Sequence, residues 1–239
     1  MSTFVLVHGS WHGAWCWEKL LPRLRAAGHE AFAVELPAHG SDPADASDAS
    51  FSGYVDRVGA AIDDADAEVI LVGHSMGGHV VTQTAEYHPD AVAAVVYLTA
   101  FLPADGQALA DLDARAFDSS LPEHIDVDED RGVVTIDEAG AAELLYHDCT
   151  GEDAAWATSR LRPEPAAPRH TPVDLSERNY GAAPRIYIEC TEDRALPVAF
   201  QRSMHEAVDC DAVHRLETGH APFLAAPGEL AGTLLGIAE

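Results

Sequence analysis

The chain has 239 residues, enough for one domain with a sizeable core and room for an insertion, and too few for two independent ones. Its 14 basic residues, all Arg except Lys19, face 40 acidic ones for a net charge of −26, a surface that repels nucleic-acid phosphates and anionic membranes and so excludes both as partners. We read the acidity as a solubility or salt-adaptation trait.

In chain order, short runs rich in Val, Ile and Leu alternate with helical patterns, the pattern of a doubly wound, mostly parallel sheet covered on both faces. TFVLVH (3 to 8) is the first strand. It lacks preceding basic residues and breaks at His8, so it does not read as a signal peptide. A helix follows over Ala14 to Ala27, then a strand at EAFAVE (30 to 35), an acidic Asp/Ala/Ser loop over 41 to 50, and a helix over Phe51 to Ala65. The third strand, EVILVG (68 to 73), runs into a helix over Met76 to Tyr87, and AVVYLT (94 to 99) is the fourth. The last two strands are RIYIEC (185 to 190) and DAVHRL (211 to 216), with helices over Pro197 to Val208 and Pro222 to Ile237.

Between Pro103 and Ala183 the alternation stops. A structureless loop of that length does not fit a compact domain, so the segment reads as an inserted, mostly helical lid over the ligand crevice at the strands' carboxyl ends. The resulting division is core over 1 to 102, lid over 103 to 183 and core again over 184 to 239. Cys16, Cys149, Cys190 and Cys210 are scattered, with neither CxxC pairs nor metal-ligand spacing. No run approaches the roughly 18 apolar residues a membrane helix needs, and we expect a cytoplasmic protein.

The chemistry-bearing stretch is Gly73-His74-Ser75-Met76-Gly77. It matches GxSxG, and it stands where the motif has mechanical meaning, at a sharp bend from strand to helix that lifts the serine hydroxyl above the sheet. A serine nucleophile needs a base and an acid to orient that base. Thirteen histidines compete, and the carboxyl-end rule sorts them. His214 lies inside a strand, His205 inside a helix, His88 at a helix end and His29 at the opposite rim. His220, in the loop leaving the last strand, passes. Asp209 and Asp211 precede that strand and fail, while Glu192 and Asp193 both sit at the right end of RIYIEC.

Acyl transfer also requires two backbone N–H groups aimed at the developing oxyanion. The bend supplies Met76, and the loop His8-Gly9-Ser10-Trp11-His12-Gly13 supplies Ser10. His8 and His12 straddle a strand end and a loop rather than one helical face, a poor metal pair. Trp11, Phe101, Leu102, Tyr146 and Trp156 are candidates to line a pocket between sheet and lid.

With FVLVHGSWHGAWCWEKL, VILVGHSMGG, RIYIECTEDRALPVAFQ and GHAPFLAAP in view, the chain resembles the plant methylesterase and hydroxynitrile lyase family of α/β-hydrolases, together with related bacterial esterases. The likeness covers nearly the whole length and weakens in the lid. It implies an α/β-hydrolase fold without the two leading strands of larger relatives, and a triad of Ser75, Asp193 and His220, thereby choosing Asp193 over Glu192. It further implies a monomer or homodimer that acts on a small-molecule ester and needs no cofactor. The lyase branch carries Thr in the first loop and Lys directly after the catalytic His. Here those positions are Gly9 and Ala221, so the expected activity is ester hydrolysis rather than cyanohydrin cleavage. Gly9 joins the candidate substrate-contacting residues.

Overall fold

Successive side chains of a strand point to opposite faces, so a strand apolar at every position must be covered on both sides. A computed structural model, which describes residues 1 to 115 and 119 to 239, shows how this is met. The elements run β1 (Thr3–Val7), α1 (Leu21–Ala26), β2 (Glu30–Val34), α2 (Phe51–Asp63), β3 (Val69–Ser75), α3 (Gly77–Tyr87) and β4 (Val92–Ala100). Next come α4 (Leu109–Asp113), β5 (Ile125–Asp128), β6 (Val133–Ile136), α5 (Glu138–Gly140), α6 (Gly151–Thr158) and β7 (Glu164–Pro165). The chain ends with β8 (Arg185–Cys190), α7 (Val198–Ala207), β9 (Ala212–Leu216), α8 (Pro222–Ala225) and α9 (Pro227–Ile237).

Six strands form one sheet in the order β2-β1-β3-β4-β8-β9, and every neighbouring pair is parallel. Val5, Val7, Leu71, Val95 and Tyr97 face one way and pack under α2, α3 and α7 through Val58, Val81 and Met204. Phe4, Leu6, Ile70, Val72 and Val96 face the other way, against Leu24 of α1 and Leu230 and Leu234 of α9. Two cores thus share one sheet, as the doubly wound expectation requires. All six expected strands are present.

Two expected helices are broken, each at a proline. The stretch from Ala14 is a 3₁₀ turn over Ala14–Trp17, and α1 starts only at Leu21, with Pro22 in its first turn. Proline is tolerated there because its missing N–H would have no intrahelical acceptor. Pro227 likewise divides the last helix by holding Ala226 at φ −138°, ψ 53°, outside the helical region.

The segment between β4 and β8 carries the expected helical pieces, including α6 and a π turn over Ala141–Leu145. It also holds a three-stranded antiparallel sheet, β5-β6-β7, which the sequence reading did not anticipate. Among the described residues, no helix is long and apolar enough to cross a membrane.

The parallel sheet brings together the carboxyl ends of β1, β3, β4, β8 and β9. Ligand sites of such sheets lie at that rim.

Candidate active site

Ser75 is the last residue of β3 and adopts φ 52°, a left-handed conformation that costs a non-glycine residue about 1–2 kcal/mol. The bend is held by close packing: a Cβ on Gly77 would lie 2.6 Å from the His8 carbonyl oxygen, and one on Gly9 would lie 2.7 Å from the Ser75 Cβ. Gly9 therefore lets the first loop press directly against the serine. Opposite, the Phe101 N–H donates to the Ser75 carbonyl at 3.0 Å.

His220 sits in the loop between β9 and α8, and its Nδ1 is 2.7 Å from Asp193 Oδ2. Of the two acids left open by position, the structure brings Asp193 to the imidazole. The Glu192 carbonyl instead meets His147 Nε2 at 3.0 Å. Asp193 Oδ2 also accepts from Thr99 Oγ1 at 2.5 Å, while its Oδ1 accepts from the Ala195 and Leu196 N–H groups, both at 2.8 Å. With those donors converging on the carboxylate, His220 Nδ1 must be the protonated nitrogen, which leaves Nε2 as an acceptor. Thr99 sits where β4 slips register against β3, at φ 37°. Its role was not foreseen, because nothing in AVVYLT marks a threonine that turns toward an acid 94 residues further along the chain.

Around this pair lies a shell of uncharged imidazoles. His74 Nε2 donates to the His220 carbonyl at 2.8 Å, and burial, with the neighbouring His220 and His12, holds the His74 pKa well below the usual histidine range. Burial likewise lowers His12 to about 3. Neutral His12 donates from Nδ1 to the Ser10 carbonyl at 2.7 Å and accepts at Nε2 from the Tyr146 hydroxyl, also at 2.7 Å. A Tyr146–His12–Ser10 chain thus fixes the first loop's peptide geometry. The same loop is tied to the insertion by Trp11, whose indole N–H donates to the Val134 carbonyl of β6 at 3.0 Å. The insertion also reaches the other side, where Asp148 Oδ2 accepts the Gly219 N–H at 2.6 Å, next to His220.

Ser75 and His220 open onto one cavity of about 30 Å³, shared with Ser10, Trp11 and Phe101. Met76 is buried at the start of α3, directly after Ser75. Three expected pocket residues lie elsewhere. Leu102 is packed in the core under α3, and Tyr146 is buried behind Ser10 in the role just described. Trp156 packs edge-on against Trp15 on the outer face, 5.2 Å between ring centres, with the Arg160 guanidinium 4.3 Å above its ring. Size and hydrophobicity had nominated all three, and neither property says which way a side chain points.

The remaining walls were not anticipated. Leu121, Ile125 and Leu145 come from the insertion, and Ala195 and Leu196 follow Asp193 in the loop it occupies. Their adjacency to the acid in EDRALP was the available signal. Asp113 and Arg169 complete the lining as an ion pair, and no periodicity linked residues so far apart. Three larger grooves, about 360, 480 and 660 Å³, lie on the surface away from Ser75.

Comparison with known proteins fits this geometry. The model of the alpha/beta hydrolase family matches residues 4–233. Salicylic acid-binding protein 2 of Nicotiana tabacum is 33% identical over 99% of this chain and 96% of its own length. Putative methylesterase 11, chloroplastic, of Arabidopsis thaliana is 32% identical over 99% of this chain, which spans only 64% of that longer protein. Among solved structures, polyneuridine aldehyde esterase superposes with a TM-score of 0.92 at 28% identity, covering 100% of both chains.

Proposed function

We propose that this chain, which belongs to the alpha/beta hydrolase family, is a serine esterase that cleaves small hydrophobic carboxylic esters of methyl or aryl type through an acyl-enzyme on Ser75. The observation that carries the reading is the 2.7 Å His220–Asp193 hydrogen bond, formed by a histidine that shares a cavity with the left-handed Ser75. Relatives named as methylesterases and esterases support the same reaction class.

In the proposed cycle His220 Nε2 takes the Ser75 proton as the serine oxygen attacks the ester carbonyl carbon. The Met76 and Ser10 N–H groups hold the negative oxygen of the tetrahedral intermediate. Collapse breaks the bond to the alkoxide, which leaves with the proton returned by His220. Water, deprotonated by the same imidazole, then attacks the acyl-enzyme, and the acid departs as Ser75 regains its proton. Asp193 holds the imidazole in one tautomer and balances its charge while it is protonated. Thr99, Ala195 and Leu196 fix the carboxylate so that little reorganisation accompanies that charge.

Cyanohydrin cleavage is the weaker alternative. Gly9 and the fully buried Ala221 offer no polar or cationic group for cyanide. Since one relative is named as a binding protein, a ligand receptor is the second reading. A fluorophosphonate probe combined with p-nitrophenyl acetate turnover tests both. The esterase reading requires labelling and turnover that disappear together in Ser75→Ala. Labelling without turnover would favour the receptor, and activity retained by Ser75→Ala would refute the assignment.

A further inference from the structure

The cavity beside Ser75 is apolar except for its reacting groups and one ion cluster. Arg169 and Asp113 both line it, joined through Arg169 Nη2 and Asp113 Oδ2. Behind them Glu164 is 1% exposed, and both its oxygens accept from Arg169 Nη1 at 3.2 Å. The backbone at Glu164 is held in β7, where it pairs with Val134 of β6. The guanidinium charge is therefore matched from behind, before Asp113 is counted. Among the described residues, the ionisable groups coupled to the cluster are neutral: burial lowers His39 and brings His79 to about 4, and burial raises Tyr54. With two carboxylates to one guanidinium, one negative charge is left over, and its bearer at the cavity is Asp113. The Asp113 side chain keeps 30% of its accessible surface, against 14% for Arg169. Among the described residues, no donor reaches Asp113 Oδ1.

A low-dielectric wall with an excess negative charge attracts a cation and repels a carboxylate, and the free carboxylate oxygen gives that cation a hydrogen-bond acceptor. We propose that Asp113 is the specificity-determining residue of this cavity, and that it selects esters whose acyl or alcohol arm carries a protonated amine over esters carrying a carboxylate. This rests on the esterase reading for the reaction, though not for the recognition. Burial supports it: desolvation outweighs the attraction of Arg169 and raises the Asp113 carboxyl to about 6, so an ammonium partner relieves a carboxylate that is costly to ionise alone. Arg169 acts in this scheme as the fixed counterion that keeps the Asp113 side chain aimed along the wall.

The test separates recognition from chemistry. Binding is measured by calorimetry at pH 8 with N-methylamides of one chain length, ending in ammonium, methyl or carboxylate, which imitate the ester without being cleaved. The ammonium compound should bind at least about tenfold more tightly than the carboxylate compound, the scale of one charge-assisted hydrogen bond. In Asp113→Asn, which keeps the side chain's size, that ratio should shrink to within about threefold. Asp113→Ser replaces it if circular dichroism shows the Asn variant to be misfolded. Equal binding of the two compounds, preference for the carboxylate through Arg169, or an unchanged ratio in the variants would overturn the proposal. Turnover of the matching methyl-ended methyl ester, measured separately, reports on the esterase reading alone.

Discussion

The Glu189→Gln substitution asks how much one buried carboxylate contributes to holding the rim together. Glu189 lies in β8, its side chain fully buried, and accepts from Arg202 Nε at 3.1 Å, Arg202 Nη2 at 3.2 Å, His205 Nε2 at 2.9 Å and Arg215 Nε at 3.0 Å. Arg202 and His205 stand on α7 and Arg215 on β9, so one side chain ties together the strands whose loops carry Asp193 and His220. Burial alone would raise its pKa, but the bonds from Arg202, His205 and Arg215 outweigh burial and bring it from 4.5 to about 2. At 1.36 kcal/mol per pH unit, that drop is a ceiling of about 3 kcal/mol. The Arg202 and Arg215 side chains are 44% and 66% exposed, and solvent screening of their charges reduces the figure to about 1–2 kcal/mol. Since the folded pKa is depressed, the contribution is complete above pH 4.5 and is lost as pH falls from 4.5 toward 2. Urea unfolding at pH 7 should show the variant less stable by about 1–2 kcal/mol, with roughly half of that gap gone at pH 3. His12 also loses stability on acidification, because its folded pKa near 3 lies below the ordinary 6.5, but it does so in both proteins and cancels in the difference. A gap of the same size at pH 3 would refute the electrostatic argument and leave packing as the cause.

Thr99→Val removes the 2.5 Å bond to Asp193 Oδ2 while keeping a β-branched side chain at the same backbone angles, so kcat/KM for p-nitrophenyl acetate should fall by about tenfold, with Thr99→Ser retaining most of it. A change below about twofold would mean that the Ala195 and Leu196 N–H groups fix the carboxylate unaided. Tyr146→Phe strands the buried His12 Nε2, which should cost about 1–3 kcal/mol of stability in a denaturant melt. It should also lower kcat more than it raises KM, because the Ser10 peptide loses its support. An unchanged kcat would separate that peptide from the oxyanion.

The sheet was legible because parallel strands covered on both faces leave continuous apolar runs, and VILVG or RIYIEC can hardly be anything else at that length. His220 was legible for a topological reason: the carboxyl-end rule removes His205, His214, Asp209 and Asp211 without reference to their chemistry. That rule leaves Glu192 beside Asp193, and only the family resemblance chose between them. The small sheet in the insertion left a fainter trace. IDVD and VVTI do alternate or run apolar, separated by a turn whose Gly132 adopts φ 63°, but the acidic composition around them imitates a solvated loop. The ion cluster was beyond reach, since a carboxylate on α4, another on β7 and a guanidinium in the turn after it meet only through the insertion's tertiary packing. Helix breaks at Pro22 and Pro227 were visible in principle. The apolar period carried across both prolines and concealed them.

The insertion is bound into the reaction centre from two directions at once. Its Val134 carbonyl holds Trp11 beside Ser10, and its Asp148 holds Gly219 beside His220, so the loop carrying Ser10 and the loop carrying His220 are both braced by one segment. The cavity onto which Ser75 and His220 open has a volume of about 30 Å³. Much of its wall, Leu121, Ile125 and Leu145 included, belongs to the insertion. Displacing the insertion would strain the Trp11–Val134 bond, the Gly219–Asp148 bond, or both, so its position and the alignment of these two loops are coupled.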